Sequence, residues 1–178
     1  CPAFGSHRNV WIDTTRECSG QDYRNENRHE VLVIVQKIQE FMEWTEQNPN
    51  PDKESRGNWS VACLTYYKKQ ERNLKQEIKR LFGEQKEKSW YKDEKRHIEI
   101  FIYTVDKFQG READVVFLSM IKSGKANLGF MDSPNRLNVA LTRARFQRVI
   151  VGSRSYFQKT NKSKLLQSLA KEEEEEGR

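Results

Sequence analysis

At 178 residues and 21.1 kDa the chain has room for one domain, because a fold of about 150 residues buries roughly 70% of its unfolded surface. Charged residues are 33% and hydrophobic ones 35% of the sequence, a polar balance, yet the apolar residues are concentrated in short dense runs, which excludes wholesale disorder. No apolar run approaches the ~18 residues of a membrane helix, and the net charge of +6 turns attention to polyanions.

In chain order, NVWID (9–13) reads as a short strand and the polar stretch to Arg28 as a loop. Asn27 with Glu30 has capping-box spacing, Asn accepting from the first turn and Glu reaching back. The run 30–44 is a predicted helix, ended by the Pro- and Gly-bearing stretch 47–58. WSVACLT (59–65) reads as a buried strand and 68–82 as a charged helix with Leu74, Ile78, Leu81 and Phe82 near helical spacing. A polar connection (83–96) leads to a strand at 97–105, and DVVFLSM (114–120) is another, too apolar to face water on one side. A Gly/Asn/Pro loop (124–135), a short helix (136–143), a strand (148–152) and a closing helix (163–176) complete the chain. Alternating strands and helices predict a mainly parallel sheet covered on both faces. The expected organisation is one domain over 1–170 and a disordered acidic tail at 171–178.

That tail, KEEEEEGR, carries two basic and five acidic residues, so residues 1–170 hold 30 basic against 21 acidic side chains, a net +9. A basic body suits nucleic acid, since each phosphate neutralised releases counterions. Cys1, Cys18 and Cys63 form no CxxC pair, and His7, His29 and His97 form no HExxH pattern. No metal site is expected, and a reducing intracellular setting, cytoplasmic or nuclear, fits three unpaired cysteines.

Two segments carry the chemistry. TVDKFQGREADVVFLSM (104–120) and RLNVALTRARFQRVIVG (136–152) each join an apolar strand-like run to polar residues held at its end. Ligands of open α/β sheets bind at the carboxyl ends of strands, so Gln109, Gly110, Glu112, Arg143 and Arg145 are expected to share one site there. A glycine at 110 permits positive φ and close approach of backbone amides, and a planar, permanently charged guanidinium suits a transferring phosphoryl group. Taken alone, FQG also fits a turn between core strands, and LTRAR a basic patch paired with Glu112 or Asp114.

Together these segments resemble motifs V and VI of superfamily 1 helicases, in the branch containing the nonsense-mediated-decay RNA helicase, senataxin and bacterial relatives. CLTYYKKQ (63–70) is similar to motif IV, usually ITPYxxQ, with Tyr66 in place of the proline and Lys68 and Lys69 following. Residues 27–30 fall where the family has NxxEA. The resemblance implies a RecA-like second motor domain: a three-layer α/β fold beside which ATP lies in a cleft and single-stranded DNA or RNA runs across the top. It implies Arg143 as the arginine finger on the γ-phosphate, and Glu112, with Arg145, beside the nucleotide. Gln109 and Gly110 become the coupling turn, and Thr65, Tyr67 and Thr104 contacts to the nucleic-acid strand.

The other half of such a site is absent from the sequence. There is no GxxxxGK[ST]: in the stretch ending IKSGKA, Ser119 stands where the first glycine belongs and Ala126 where a magnesium-binding hydroxyl belongs. No DExx-type pair or QYRMHP segment occurs either. ATP with Mg²⁺ is therefore expected to be held mainly by an N-terminal RecA-like domain of the same polypeptide, and these residues alone are expected not to hydrolyse it; the start at Cys1 fits a piece of a longer chain. The competing expectation is a non-catalytic nucleic-acid-binding module that keeps the fold. A protein-interaction role for the charged segments 83–96 and 171–178 rests on composition alone, and no membrane partner is expected.

Overall fold

The computed structural model describes residues 8–18, 23–160 and 163–172. Its strands are β1 (Asn9–Asp13), β2 (Trp59–Thr65), β3 (Trp90–Asp93), β4 (Ile98–Thr104), β5 (Ala113–Ser119) and β6 (Ala144–Gly152). Its helices are α1 (Arg28–Thr45), α2 (Lys68–Leu81), α3 (Pro134–Thr142), α4 (Arg154–Lys159) and α5 (Lys164–Glu172). The strands form one sheet in the order β1-β6-β5-β2-β4-β3, parallel throughout except for β3 against β4.

Alternation along the central strands explains the layering. Val61 and Cys63 of β2, Val115 and Phe117 of β5, and Ile98, Ile100 and Ile102 of β4 face α1 and α2, meeting Val31, Ile34, Ile38, Phe41, Leu74 and Ile78. Ala62, Leu64, Val116, Leu118 and Ile150 face the other way, against Leu137 and Ala140 of α3, Phe157 of α4 and Leu166 of α5. Both faces are therefore buried, which is why these strands read as continuous apolar runs. Burying side chains such as Ile34 and Phe41 stabilises the fold by about 1.5–3 kcal/mol each. The three-layer α/β architecture expected for a RecA-like domain is present.

Three local expectations need correction. The connection 83–96 contains β3, whose only fully buried residue is Tyr91; a four-residue edge strand that buries one side chain leaves almost no hydrophobic pattern. β6 begins at Ala144 rather than 148, because Ala113 pairs with Ala144 and, after a shift of register, Val115 pairs with Gln147. Helix α4 falls between the strand and the closing helix, where the sequence suggested no element; its six residues bury one side chain, Phe157. At the start of α1, Asn27 Oδ1 accepts from the Glu30 N–H at 3.3 Å as expected, but Glu30 does not reach back: the Asn27 N–H donates to Gln70 Oε1 at 2.9 Å. Helix α5 is described to Glu172; residues 173–178, Cys1 and His7 lie outside the described residues.

Candidate functional site

The five residues expected at one site fall together along one side of the sheet, but not at the carboxyl ends of the strands. Segment 105–112 crosses the sheet face from the carboxyl end of β4 to the amino end of β5, anchored by Phe108, which is 1% exposed. After it the chain makes a type II turn: the Arg111 N–H donates to the Phe108 carbonyl at 3.1 Å, Gln109 sits at φ −56°, ψ 135° and Gly110 at φ +80°. That turn requires a positive φ at its third residue, which glycine adopts without strain. Gln109, Gly110 and Glu112 thus lead into the start of β5, and Arg143 and Arg145 flank the start of β6. The cluster is at the amino ends because Ala113 and Ala144 pair side by side, with the Ala113 N–H donating to the Arg143 carbonyl at 3.0 Å.

Within this cluster the two arginines differ electrostatically. Arg145 Nε lies 3.4 Å from Glu112 Oε2, and its Nη1 lies 3.9 Å from Asp114 Oδ1. Asp114 is 2% exposed, and its Oδ2 accepts from Asn50 Nδ2, the Ser60 N–H and the Ser60 hydroxyl at 3.0, 2.8 and 2.8 Å. Arg145 is therefore charge-compensated. Arg143 instead donates to the carbonyls of Val139 and Arg111 at 3.2 and 3.4 Å and to Thr142 Oγ1 at 3.0 Å. These neutral acceptors orient the guanidinium without cancelling its charge, and no carboxylate among the described residues pairs with it.

The opposite end of the sheet is a separate surface. Thr65 and Thr104 end β2 and β4 side by side. Thr65 is fully buried, its hydroxyl without a hydrogen-bond partner among the described residues, and Thr104 is 8% exposed. Tyr66, at the position of the missing proline, packs into the core, and burial pushes its phenol pKa up. Tyr67 is also mostly enclosed: its ring lies 5.6 Å from that of Phe130 and 4.6 Å from the Lys122 ammonium. The free aromatic face belongs to Phe130, 58% exposed, with the Arg136 guanidinium 5.2 Å from its ring centroid and Arg136 Nε donating to Asp106 Oδ1 at 2.9 Å. A cavity of about 420 Å³ opens here between Tyr67, Lys69, Thr104, Phe130 and Arg136. Aromatic faces interleaved with cations suit stacked bases and a phosphate backbone.

Beneath this surface lies Glu30, fully buried at the N-terminus of α1. Burial pushes its carboxyl pKa up to about 8, against the pull of hydrogen bonds from Ser119, the Ile121 and Met120 backbone and Asn27.

The sequence profile of the AAA_12 family, an AAA domain, matches residues 4–155. Helicase sen1 of Schizosaccharomyces pombe is 36% identical over 128 residues, covering 71% of this chain and 7% of that protein. The chain belongs to the superfamily 1 helicases. This helicase domain is also 52% identical over 56 residues to a regulator of nonsense transcripts 1 homolog of Drosophila melanogaster, covering 31% of the chain and 5% of that protein. It is 52% identical over 62 residues to the DNA polymerase alpha-associated DNA helicase A of Saccharomyces cerevisiae, covering 34% of the chain and 9% of that protein. The chain thus spans less than a tenth of the length of each of these relatives.

Three residues of the helicase domain's two surfaces escaped the sequence reading. Lys122 and Arg136 are single cations beside a loop. Phe130 carried a usable signal, a large aromatic inside a Gly/Asn/Pro loop. Among the described residues no helix is long and apolar enough to cross a membrane.

Proposed function

We propose that residues 1–178 are the C-terminal motor domain of an ATP-dependent helicase that translocates on single-stranded DNA or RNA. The nucleotide faces the amino ends of β5 and β6, and the nucleic acid crosses the carboxyl ends of β2 and β4. The observation that carries this reading is the pairing of the two arginines: Arg145 is paired with Glu112 and Asp114, while Arg143 is oriented by neutral acceptors alone. A guanidinium held but uncompensated at a surface fits an anion arriving from outside, here the γ-phosphate of ATP.

In this reading ATP and Mg²⁺ are held mainly by an N-terminal RecA-like domain of the same polypeptide, which supplies the phosphate loop and the metal ligands. Arg143 stabilises charge on the transferring phosphoryl oxygens. Glu112 fixes Arg145 and stands beside the nucleotide, and the Gln109–Gly110 turn follows its arrival and departure. Tyr67 and Thr104 line the nucleic-acid end, with Thr65 buried directly beneath it; neutral hydroxyls there position a strand without reading its sequence.

The test is Arg143→Ala in the full-length protein. Nucleic-acid-stimulated ATP turnover is expected to fall by roughly 10³ or more, with nucleotide affinity largely retained. Wild-type turnover in that variant refutes the assignment. The binding-module reading predicts instead that the intact protein binds single strands with no ATPase activity to lose.

A further inference from the structure

The chain leaving β5 takes a conformation that its sequence disfavours. The Lys122 N–H donates to the Met120 carbonyl at 2.7 Å, closing a three-residue turn around Ile121, whose φ is +66°. A γ-turn with a positive central φ is rare and strained, and a β-branched residue there is a genuine outlier. Such strain persists only where surrounding contacts over-determine it, and it gathers at functional sites.

The contacts that impose it converge on Glu30. Both carboxyl oxygens accept from the Ile121 N–H, at 3.0 and 2.9 Å. Oε2 also accepts from the Ser119 hydroxyl at 2.7 Å, and Oε1 from Asn27 Nδ2 at 3.1 Å. Ser119 Oγ accepts in turn from Gln70 Nε2 at 2.9 Å. One buried carboxyl therefore ties the start of α1, helix α2 and the end of β5 to a single backbone amide.

This turn aims Lys122. The residue is 3% exposed, its ammonium lies 4.6 Å from the Tyr67 ring centroid, and no carboxylate among the described residues pairs with it. It lines a second cavity, of about 620 Å³, together with Arg24, Lys125, Asn127 and Phe130. Enclosing a cation without a counter-ion is unfavourable, so the arrangement makes sense where an anion completes it. A phosphodiester is the anion whose bases could use the exposed face of Phe130 beside the same cavity.

We propose that Lys122 binds a backbone phosphate of the single-stranded nucleic acid, and that Glu30 is the positioning residue that holds the Ile121 turn and so aims it. This rests on the reading that nucleic acid crosses the carboxyl ends of the strands.

The experiment uses the full-length protein and a fluorescent single-stranded oligonucleotide, titrated by anisotropy over a range of salt concentrations. Lys122→Met keeps the apolar stem against Tyr67 and removes the charge. It is expected to make the slope of log K against log salt shallower by about 0.7, the loss of one phosphate contact on a single strand. Glu30→Ala is expected to lose the same increment, and Ile121→Gly in that background to restore it, because glycine takes a positive φ unaided. A merely structural Glu30 gives no such rescue. If Glu30→Ala alone does not fold, the Glu30→Ala/Ile121→Gly pair carries the test, with a folded, wild-type slope expected. A wild-type slope in Lys122→Met overturns the phosphate site, and an unrescued slope in the pair overturns the positioning role. A wild-type protein that binds no single strand overturns the nucleic-acid reading itself, and this site with it.

Discussion

Replacing Glu30 by glutamine should remove a pH dependence of stability that the wild-type fold carries near neutrality. The folded-state carboxyl pKa is raised by burial from 4.5 to about 8, so between those values the folded chain holds a proton that the unfolded chain releases. Stability from this group is complete below pH 4.5 and is lost as pH rises toward 8, at about 1.4 kcal/mol per pH unit. From pH 5.5 to 7.5 the loss is about 3 kcal/mol, and with a urea m-value of about 2 kcal/mol/M the midpoint falls by about 1–2 M. The carboxyls of Glu26, Glu46 and Asp93 are shifted down by hydrogen bonds and nearby cations, against what burial each has, so their stabilisation fades only as pH falls below about 4.5, outside this window. In Glu30→Gln the amide oxygen can accept from the Ile121 N–H and the amide nitrogen can donate to Ser119, with nothing left to titrate. Urea denaturation at pH 5.5, 6.5 and 7.5 should show a falling midpoint for wild type and a nearly flat one for the variant. A wild-type midpoint that rises across this window, or an equal slope in Glu30→Gln, refutes the argument.

Asp114→Ala should destabilise the domain by about 2–5 kcal/mol in chemical denaturation, because it strips the acceptor from Asn50 Nδ2 and from both Ser60 donors inside the fold; Asp114→Asn, which keeps one acceptor, should lose less. Phe130→Ala should leave the melting temperature within a few degrees of wild type, since the ring is 58% exposed, while weakening single-strand binding by about 1–3 kcal/mol in an anisotropy titration. Unchanged affinity there removes Phe130 from the nucleic-acid surface.

What was legible in the sequence follows from how each feature is encoded. Buried parallel strands such as β2 and β5 are continuous apolar runs, and the capping half of Asn27 is a local pattern. The pairing partners of Glu30 are not local: Ser119 and Ile121 lie about 90 positions away, and only the fold brings them to the start of α1. The same limit explains the misplaced cluster. Residues 109–112 follow β4 in the chain and were assigned to its carboxyl end, but the crossing segment carries them the length of the sheet before β5 begins. Edge strand β3 and helix α4 were missed because each buries a single side chain.

That crossing segment also bears on how the two ends could communicate. Helix α3 runs beside the same route over nine residues, about 13 Å of rise, and the two pieces are joined at both ends. Arg136, near the start of the helix, holds Asp106; Arg143, just past its end, holds the Arg111 carbonyl. Between these joints Phe108, Leu137 and Ala140 belong to one apolar cluster, and a close-packed interior does not absorb displacement by local deformation. A shift imposed on Arg143 by a phosphate is therefore expected to move α3 and segment 106–111 as one body, carrying Arg136 with them and reaching Phe130 through the contact between the two. In the proposed motor the bistable element is then the cleft between domains, and this domain works as its rigid arm.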